Sequence, residues 1–245
     1  MNSKKLLALW GLKWNPFSPE LPSDGLLITP RIDHFAWRVE QLVQEGGFAL
    51  ITGDSGTGKS VALRIVAGRL STLRDVMVGV IERPQSKSSD FYRELGDIFA
   101  VKLAPHNRWG GFKALRERWK THVASSRIRP VLLVDEAQQM SPEDLVPLGT
   151  RIRTRLVTEV ASREELLELL RHALAKAGNA TLMTPELVDT LVDHSAGNYR
   201  LLMIMGAELL AYGMAHDVAQ LDEKCYLEVF QPRHSRPALK KKVKV

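Results

Sequence analysis

FALITGDSGTGKS, residues 48–60, determines the fold of this chain more than any other stretch. An apolar run ends in a glycine-rich turn, and an amphipathic segment, residues 61–70, follows directly. This is the strand–loop–helix context that the GxxxxGK[ST] pattern requires. Residues 53–60, here called the phosphate loop, are therefore predicted to bind the phosphates of a nucleotide.

The residue types of the phosphate loop suit a triphosphate. Its glycines permit left-handed dihedrals and leave no Cβ between the backbone amides and the ligand. The amides would lie beside the positive end of the following helix. The lysine supplies a charge for the β- and γ-phosphates, and the serine hydroxyl is a ligand for Mg²⁺. We therefore expect ATP and Mg²⁺ as cofactors and assign to the nucleotide site Gly53, Asp54, Ser55, Gly56, Thr57, Gly58, Lys59 and Ser60.

Length and composition indicate a soluble, globular, cytoplasmic protein. The 245 residues can form one large or two modest domains, and 44% of them are hydrophobic. No apolar run approaches the roughly 18 residues of a membrane span. Gly11 and Lys13 interrupt the first apolar run too early for a secretory signal. The single cysteine, Cys225, excludes an intramolecular disulfide and agrees with a reducing compartment. Because the apolar runs are too short to span a bilayer, we expect no membrane partner.

The net charge of +6 comes from the last fifteen residues, 231–245. This tail carries six basic side chains and no acidic one, whereas the other 230 residues are neutral overall. We expect a disordered basic tail. Attraction to the phosphate backbone of DNA and a merely solubilising role remain equal alternatives for it.

A second nucleotide motif follows Pro130, where the apolar residues 131–134 lead into Asp135 and Glu136. Four apolar residues predict a buried parallel strand. Its carboxyl end is where open α/β sheets place their ligands. We expect Asp135 to hold Mg²⁺ through its water shell and Glu136 to orient and deprotonate the attacking water.

The pattern changes to purely helical after residue 161. Ser162 and Glu165 resemble a capping box, and Thr184 with Pro185 is typical of a helix start. We predict an α/β fold with a parallel sheet and flanking helices, followed by an all-helical domain. The predicted divisions are a lead-in segment at 1–32, the α/β core at 33–160, the helical lid at 161–230 and the tail at 231–245.

These motifs together resemble the AAA+ ATPases of the ExeA/TniB/TnsC-like group, the helper ATPases of bacterial transposons. The likeness covers roughly residues 1–230. It is carried by the phosphate loop, by VLLVDEAQ at 131–138 and by GNYR at 197–200. Three shorter stretches add to it: GLKWNPF at 11–17, ERPQ at 82–85 and NRWGG at 107–111.

The resemblance implies an ATPase that assembles on DNA as a homo-oligomer and recruits or activates a transposase of the DDE type. By the same resemblance, Arg200 is the sensor-2 arginine, with a surface arginine as the alternative. Arg151 or Arg153 resembles the finger that reaches a neighbouring subunit's γ-phosphate, and the alternative is a cationic surface strand or helix end. The resemblance also adds to the nucleotide site Asn15, Pro16 and Phe17.

The sequence departs from this family between Glu136 and the arginine cluster at 151–155. Only the 14 residues 137–150 lie between them. A strand takes about 5 residues and each parallel crossover needs a dozen or more. The strand that carries the sensor-1 residue is therefore predicted to be absent, which leaves both an ATPase and a nucleotide binder without hydrolysis as alternatives.

Two alternatives to a transposition ATPase remain open. One is a shortened, hydrolysis-deficient adaptor that binds nucleotide and holds DNA or a transposase passively. The other is an ExeA-like ATPase linked to type II secretion. Such a protein is expected to carry a membrane segment and a cell-wall domain, neither of which we expect in this sequence.

Overall fold

The computed structural model describes residues 3–82, 84, 88–101, 108–125, 127–140 and 151–230. They form two compact units. The core unit contains Pro22–Ala161 together with Asn198–Arg200. Among the described residues, the helical unit contains 3–21, 162–197 and 201–230. The expected basic tail at 231–245 lies outside the described residues, as do residues 141–150 of the shortened interval.

The elements are numbered in chain order through both units. The helices are α1 (Ser3–Trp10), α2 (Pro30–Glu45), α3 (Lys59–Ser71), α4 (Ser88–Ile98), α5 (Arg108–Ala124), α6 (Arg163–Ala177), α7 (Pro185–Ser195), α8 (Tyr199–Ala215) and α9 (Glu223–Phe230). The strands are β1 (Phe48–Gly53), β2 (Val76–Ile81), β3 (Arg129–Val134) and β4 (Ile152–Thr158). None of the described helices is long and apolar enough to cross a membrane.

The four described strands pair in parallel, as predicted, but in two separate two-stranded sheets. β2 pairs with β3 from Val76 opposite Arg129 to Ile81 opposite Val134. β1 pairs with β4, so that Gly53, the first residue of the phosphate loop, lies opposite Thr158. The arginine cluster at 151–155 therefore runs into a strand that lies directly beside the phosphate-loop strand.

Helices α2 and α3 pack against both pairs of strands and enclose one apolar core. Thr29 caps α2 by accepting a hydrogen bond from the Ile32 amide, and Pro30 occupies its first turn. Arg69 of α3 forms ion pairs with Glu40 and Asp33 of α2. Each large side chain buried in this core contributes about 1.5–3 kcal/mol. The buried members of this core are Phe35, Ala36, Val39, Ala62, Val66, Leu70, Leu133 and Leu156.

The second segment of the helical unit starts at Ser162 with the predicted capping box. In it, the side chains of Ser162 and Glu165 each accept a hydrogen bond from the other's backbone amide. Thr184 caps α7, and Pro185 follows it. The first residues of the chain also belong to this unit. The boundary between the two units therefore falls after residue 21, within the predicted lead-in segment 1–32. The reason is packing: the Trp10 indole donates to the Val218 carbonyl at 2.9 Å. The Lys13 amide likewise donates to the Ala177 carbonyl at 2.7 Å.

Candidate functional site

The phosphate loop turns sharply between the end of β1 and the start of α3. Its three glycines have positive φ, at +148° for Gly53, +83° for Gly56 and +93° for Gly58. Any other residue would be strained in these conformations. Neighbours also leave no room for a side chain at Gly53 and Gly56, since a Cβ on Gly53 would lie 2.2 Å from the Thr158 carbonyl oxygen and one on Gly56 would lie 2.2 Å from the Asn198 side-chain oxygen. The turn therefore requires glycine at these three positions.

Lys59 folds back over the loop that precedes it. Its Nζ donates to the carbonyl of Gly53 at 3.0 Å and to that of Asp54 at 2.7 Å. Gly58 caps α3 in a left-handed conformation, so Lys59 and Ser60 open the helix. The ammonium group and the helix N-terminus thus lie together at the loop, which is the charge arrangement that phosphates need.

Thr57 and Thr158 join the loop to the end of β4. The buried hydroxyl of Thr57 contacts the Asp54 carbonyl at 2.7 Å and the Thr158 hydroxyl at 2.7 Å. Thr158 Oγ1 also lies 3.1 Å from the Thr52 carbonyl oxygen. Thr158 was not predicted as a site residue, because only the pairing of β1 with β4 brings it next to residues about 100 positions earlier.

Residues 198–200 also contact the phosphate loop. The Asn198 side chain donates a hydrogen bond to the Ser55 carbonyl at 3.3 Å. Its Oδ1 would lie 2.2 Å from a Cβ on Gly56. The Arg200 guanidinium donates to the Ser55 hydroxyl at 2.9 Å. Arg200, a predicted site residue, therefore lies at the loop. Asn198, which directly precedes α8, fits against the loop's second glycine.

Asp135 and Glu136 follow β3, as predicted. The Asp135 amide donates to the Ile81 carbonyl of β2 at 2.9 Å. The Asp135 side-chain Oδ1 accepts a hydrogen bond from the Glu136 amide at 2.9 Å. Glu136 is left-handed, with φ of +51°, a conformation that costs about 1–3 kcal/mol in a residue with a side chain. Its carboxylate accepts a hydrogen bond from the Gln138 side chain, a contact that the sequence did not reveal. Both carboxylates thus have local contacts at the carboxyl end of a parallel pair.

The candidate finger arginines lie at the other end of the β1–β4 pair. Arg151 precedes β4, and the exposed Arg153 pairs with Glu45 of α2 at 3.2 Å. Five residues of strand, about 16 Å, separate Arg153 from Thr158 beside the loop. Arg153 therefore projects from the sheet at the end opposite the phosphate loop of its own chain.

The three residues Asn15, Pro16 and Phe17 belong to the helical unit, whereas the phosphate loop belongs to the core unit. Asn15 Oδ1 accepts from the Phe17 amide at 2.9 Å, which closes a turn. The Phe17 ring is buried, and it occupies the space where Gly206 has no Cβ. Their described contacts are structural, and a role in nucleotide binding rests on the family resemblance alone.

The residues present fit a Mg²⁺ ion that arrives with a nucleotide. In the part of the chain that the structure describes, no group of three or more His, Cys, Asp or Glu could hold a metal ion by itself. Mg²⁺ in nucleotide sites needs few protein ligands, since phosphate oxygens and waters complete its octahedral shell. The Ser60 hydroxyl and the Asp135 carboxylate would supply the protein's share.

Comparisons with known proteins agree with this geometry. Residues 41–159 match the family model of the AAA domain. A curated relative, General secretion pathway protein A of Aeromonas hydrophila, is 28% identical over 179 residues, which cover 68% of this chain and 31% of the relative. The chain thus spans about a third of that protein's length.

Solved structures show the same fold at low sequence identity. The structure of Drosophila ORC bound to DNA has a TM-score of 0.68 and 16% identity, covering 93% of this chain and 65% of that one. The ADP form of the Aeropyrum pernix ORC2 protein has a TM-score of 0.72 and 12% identity, covering 87% and 71%.

The fold is therefore the P-loop AAA+ fold, with parallel strands, flanking helices and a helical C-terminal part. This confirms the fold class predicted from the sequence. The match of residues 41–159 to the AAA domain and the geometry of the phosphate loop support nucleotide binding.

Proposed function

We propose that this chain is a Mg·ATP-dependent switch that assembles on DNA as a homo-oligomer and recruits or regulates a transposase. The observation that carries the nucleotide part is the phosphate loop itself. Its glycines have the positive φ that the turn needs, and Lys59 lies over the loop beside a helix N-terminus. Such a loop stabilises a triphosphate through backbone amides and one fixed charge.

Within this proposal each site residue has a distinct role. The loop amides and Lys59 bind the phosphates, while Ser60 and Asp135 hold Mg²⁺. Glu136 orients the attacking water and takes its proton. Arg200, already hydrogen-bonded to Ser55 of the loop, senses the phosphates from the GNYR segment. Arg151 or Arg153 acts on the nucleotide of a neighbouring subunit, because about 16 Å of strand separates Arg153 from the loop-facing end of its own strand.

The DNA and transposase parts draw support from three observations. The motifs resemble the helper ATPases of bacterial transposons, and the tail at 231–245 carries all of the excess positive charge. A solved structure with the same fold, that of Drosophila ORC, is one bound to DNA. Basic segments bind DNA by neutralising phosphates and releasing counterions, so this attraction weakens as salt rises.

A co-sedimentation assay with linear DNA, with and without Mg·ATP, tests this proposal. We expect the wild-type protein to sediment with DNA more strongly when ATP is present, and the Lys59→Ala variant to show no effect of ATP. Equal sedimentation of the wild-type protein with and without ATP, at every salt concentration, would contradict an ATP-controlled assembly on DNA.

A secretion-linked ATPase is the second candidate, and the General secretion pathway protein A match specifically favours it. The two candidates share the nucleotide site and differ in their partner. Wild-type protein that binds ATP but shows no association with DNA, even at low salt, would favour the secretion candidate over the first.

A hydrolysis-deficient adaptor is the third candidate, because residues 137–150 are too few for the sensor-1 strand. Steady-state phosphate release separates it from an ATPase. The proposed ATPase releases phosphate, and Glu136→Gln abolishes the release. Equal background rates for the two proteins would establish the adaptor.

A further inference from the structure

We propose that Thr158 is a positioning residue for the phosphate loop and that its hydroxyl, acting through Thr57, sets the affinity for nucleotide. This inference rests on the proposed binding of ATP. Thr158 ends β4, the strand paired with the phosphate-loop strand, and it lies opposite Gly53 in the register. It is thus the polar side chain through which β4 contacts the loop.

The two threonine hydroxyls form a short chain of contacts across the base of the loop. Two oxygen–oxygen contacts link them to the backbone, Thr57 to Asp54 at 2.7 Å and Thr158 to Thr52 at 3.1 Å, and a third, at 2.7 Å, links Thr57 to Thr158. Two hydroxyl groups supply only two protons for these three contacts. The two shortest are satisfied when Thr57 donates to Asp54 and Thr158 donates to Thr57. Thr158 therefore donates its hydroxyl proton mainly to the Thr57 hydroxyl.

This arrangement fixes both ends of the loop's first turn. Thr57 is 6% exposed, so its hydrogen bonds are shielded from competing water. Thr158 also fills the space beside Gly53, where a Cβ would lie 2.2 Å from its Oγ1. The carbonyls of Thr52 and Asp54 flank Gly53, and both lie within reach of the threonine pair. The pair therefore constrains the backbone whose amides face the phosphates.

Loss of the Thr158 hydroxyl is expected to loosen the loop without unfolding the protein. Valine has the shape of threonine, so Thr158→Val preserves the packing beside Gly53 and removes the hydroxyl together with its contacts to Thr57 and to the Thr52 carbonyl. A loop that samples more conformations must be ordered when the ligand binds, and this weakens binding. We expect a 3- to 10-fold rise in the Kd for Mg·ATP.

Four variants of the full-length chain test this inference by calorimetric titration with Mg·ATP. Thr158→Val removes the hydroxyl, and Thr158→Ser retains it. Thr57→Val removes the partner, and the double variant tests whether the two act together. Thr154→Val is the matched control, since Thr154 lies on the same strand, is 5% exposed, and its hydroxyl has no hydrogen-bond partner among the described residues.

The inference predicts weaker binding for Thr158→Val, and binding like that of the wild type for Thr158→Ser and Thr154→Val. It also predicts that the double variant binds about as well as Thr57→Val alone, because coupled residues lose one shared interaction. A Thr158→Val protein with wild-type affinity, a Thr158→Ser protein as weak as Thr158→Val, or losses that simply multiply would each overturn it. A fall in thermal stability with unchanged Kd would also overturn it, since that is the result of a purely structural role.

Amide hydrogen exchange keeps this test separate from the proposed function. If the wild-type protein does not bind Mg·ATP, the proposed function fails, and exchange at residues 54–58 still decides the role of Thr158. Faster exchange there in Thr158→Val, but not in Thr154→Val or Thr158→Ser, supports the positioning role. Equal exchange in the wild type and all three of these variants overturns it.

Discussion

Replacement of three glycines by alanine separates two reasons why Gly53 must be glycine: its positive φ and the lack of space for a Cβ. Gly68 lies within α3 with open space where a Cβ would stand. Gly46 has φ of +77° but likewise open space. Gly53 has φ of +148°, and a Cβ there would lie 2.2 Å from both the carbonyl oxygen and the Oγ1 of Thr158. All three belong to the core unit, so their substitutions are compared on the same unfolding transition.

The expected changes differ in sign and size. Gly68→Ala should raise the free energy of unfolding by about 1 kcal/mol, because alanine favours a helix over glycine. Gly46→Ala should lower it by about 1–3 kcal/mol through backbone strain alone. Gly53→Ala carries the same strain and, in addition, about 1–3 kcal/mol for the overlap, which gives a total of about 2–6 kcal/mol. The Thr158 carbonyl belongs to a paired strand, so it cannot simply rotate away.

Urea unfolding followed by circular dichroism measures these differences, with the slope of the transition as a check that all variants unfold from a similar state. The difference between Gly53→Ala and Gly46→Ala isolates the overlap with Thr158. Equal stability of these two variants would show that β4 does not press against the start of the loop, and it would refute the close packing of Thr158 on Gly53. A destabilised Gly68→Ala would show that the α3 backbone is not the regular helix described.

Three further predictions concern catalysis, pH and DNA. Glu136→Gln should abolish phosphate release while it leaves the Kd for Mg·ATP within about twofold, and equal release by both proteins would remove Glu136 from the mechanism. A hydrogen bond from the Cys225 amide to Asp222 lowers the pKa of this carboxyl group. The carboxylate therefore stabilises the fold above its unfolded pKa of about 3.9, and this contribution is lost as the pH falls through the lower, folded pKa. Asp222→Ala should cost about 1 kcal/mol of unfolding free energy at pH 7 and less at pH 3, and a cost that does not change with pH would contradict this hydrogen bond. Deletion of residues 233–245 should weaken DNA association most at low salt, and identical salt curves for the two forms would exclude the tail.

The parts of the fold that depend on nearby residues could be predicted from the sequence. The strand, loop and helix around Lys59 follow from a contiguous pattern, as does the strand that ends at Asp135. The capping box at Ser162 needs only a residue three positions later. Local hydrogen bonding and periodicity determine such features, and both are visible in one stretch of sequence.

The features that were missed depend on contacts between distant residues. Thr158 reaches the loop only through the parallel pairing of β4 with β1, which spans about 100 residues. The first residues of the chain join the helical unit because Trp10 bonds with Val218, 208 positions later. The Asn198 side chain contacts Ser55 and Gly56, which lie more than 140 positions earlier. No local pattern encodes these partners.

Binding of ATP by the phosphate loop underlies every role proposed for this chain, and calorimetric titration of the wild-type chain and of Lys59→Ala with Mg·ATP measures it. We expect saturable binding by the wild-type chain, in which the Lys59 ammonium lies over the loop carbonyls. We expect no binding by Lys59→Ala, which lacks this ammonium. An unchanged affinity in Lys59→Ala, or no binding by a folded wild-type chain, would show that the loop does not hold ATP.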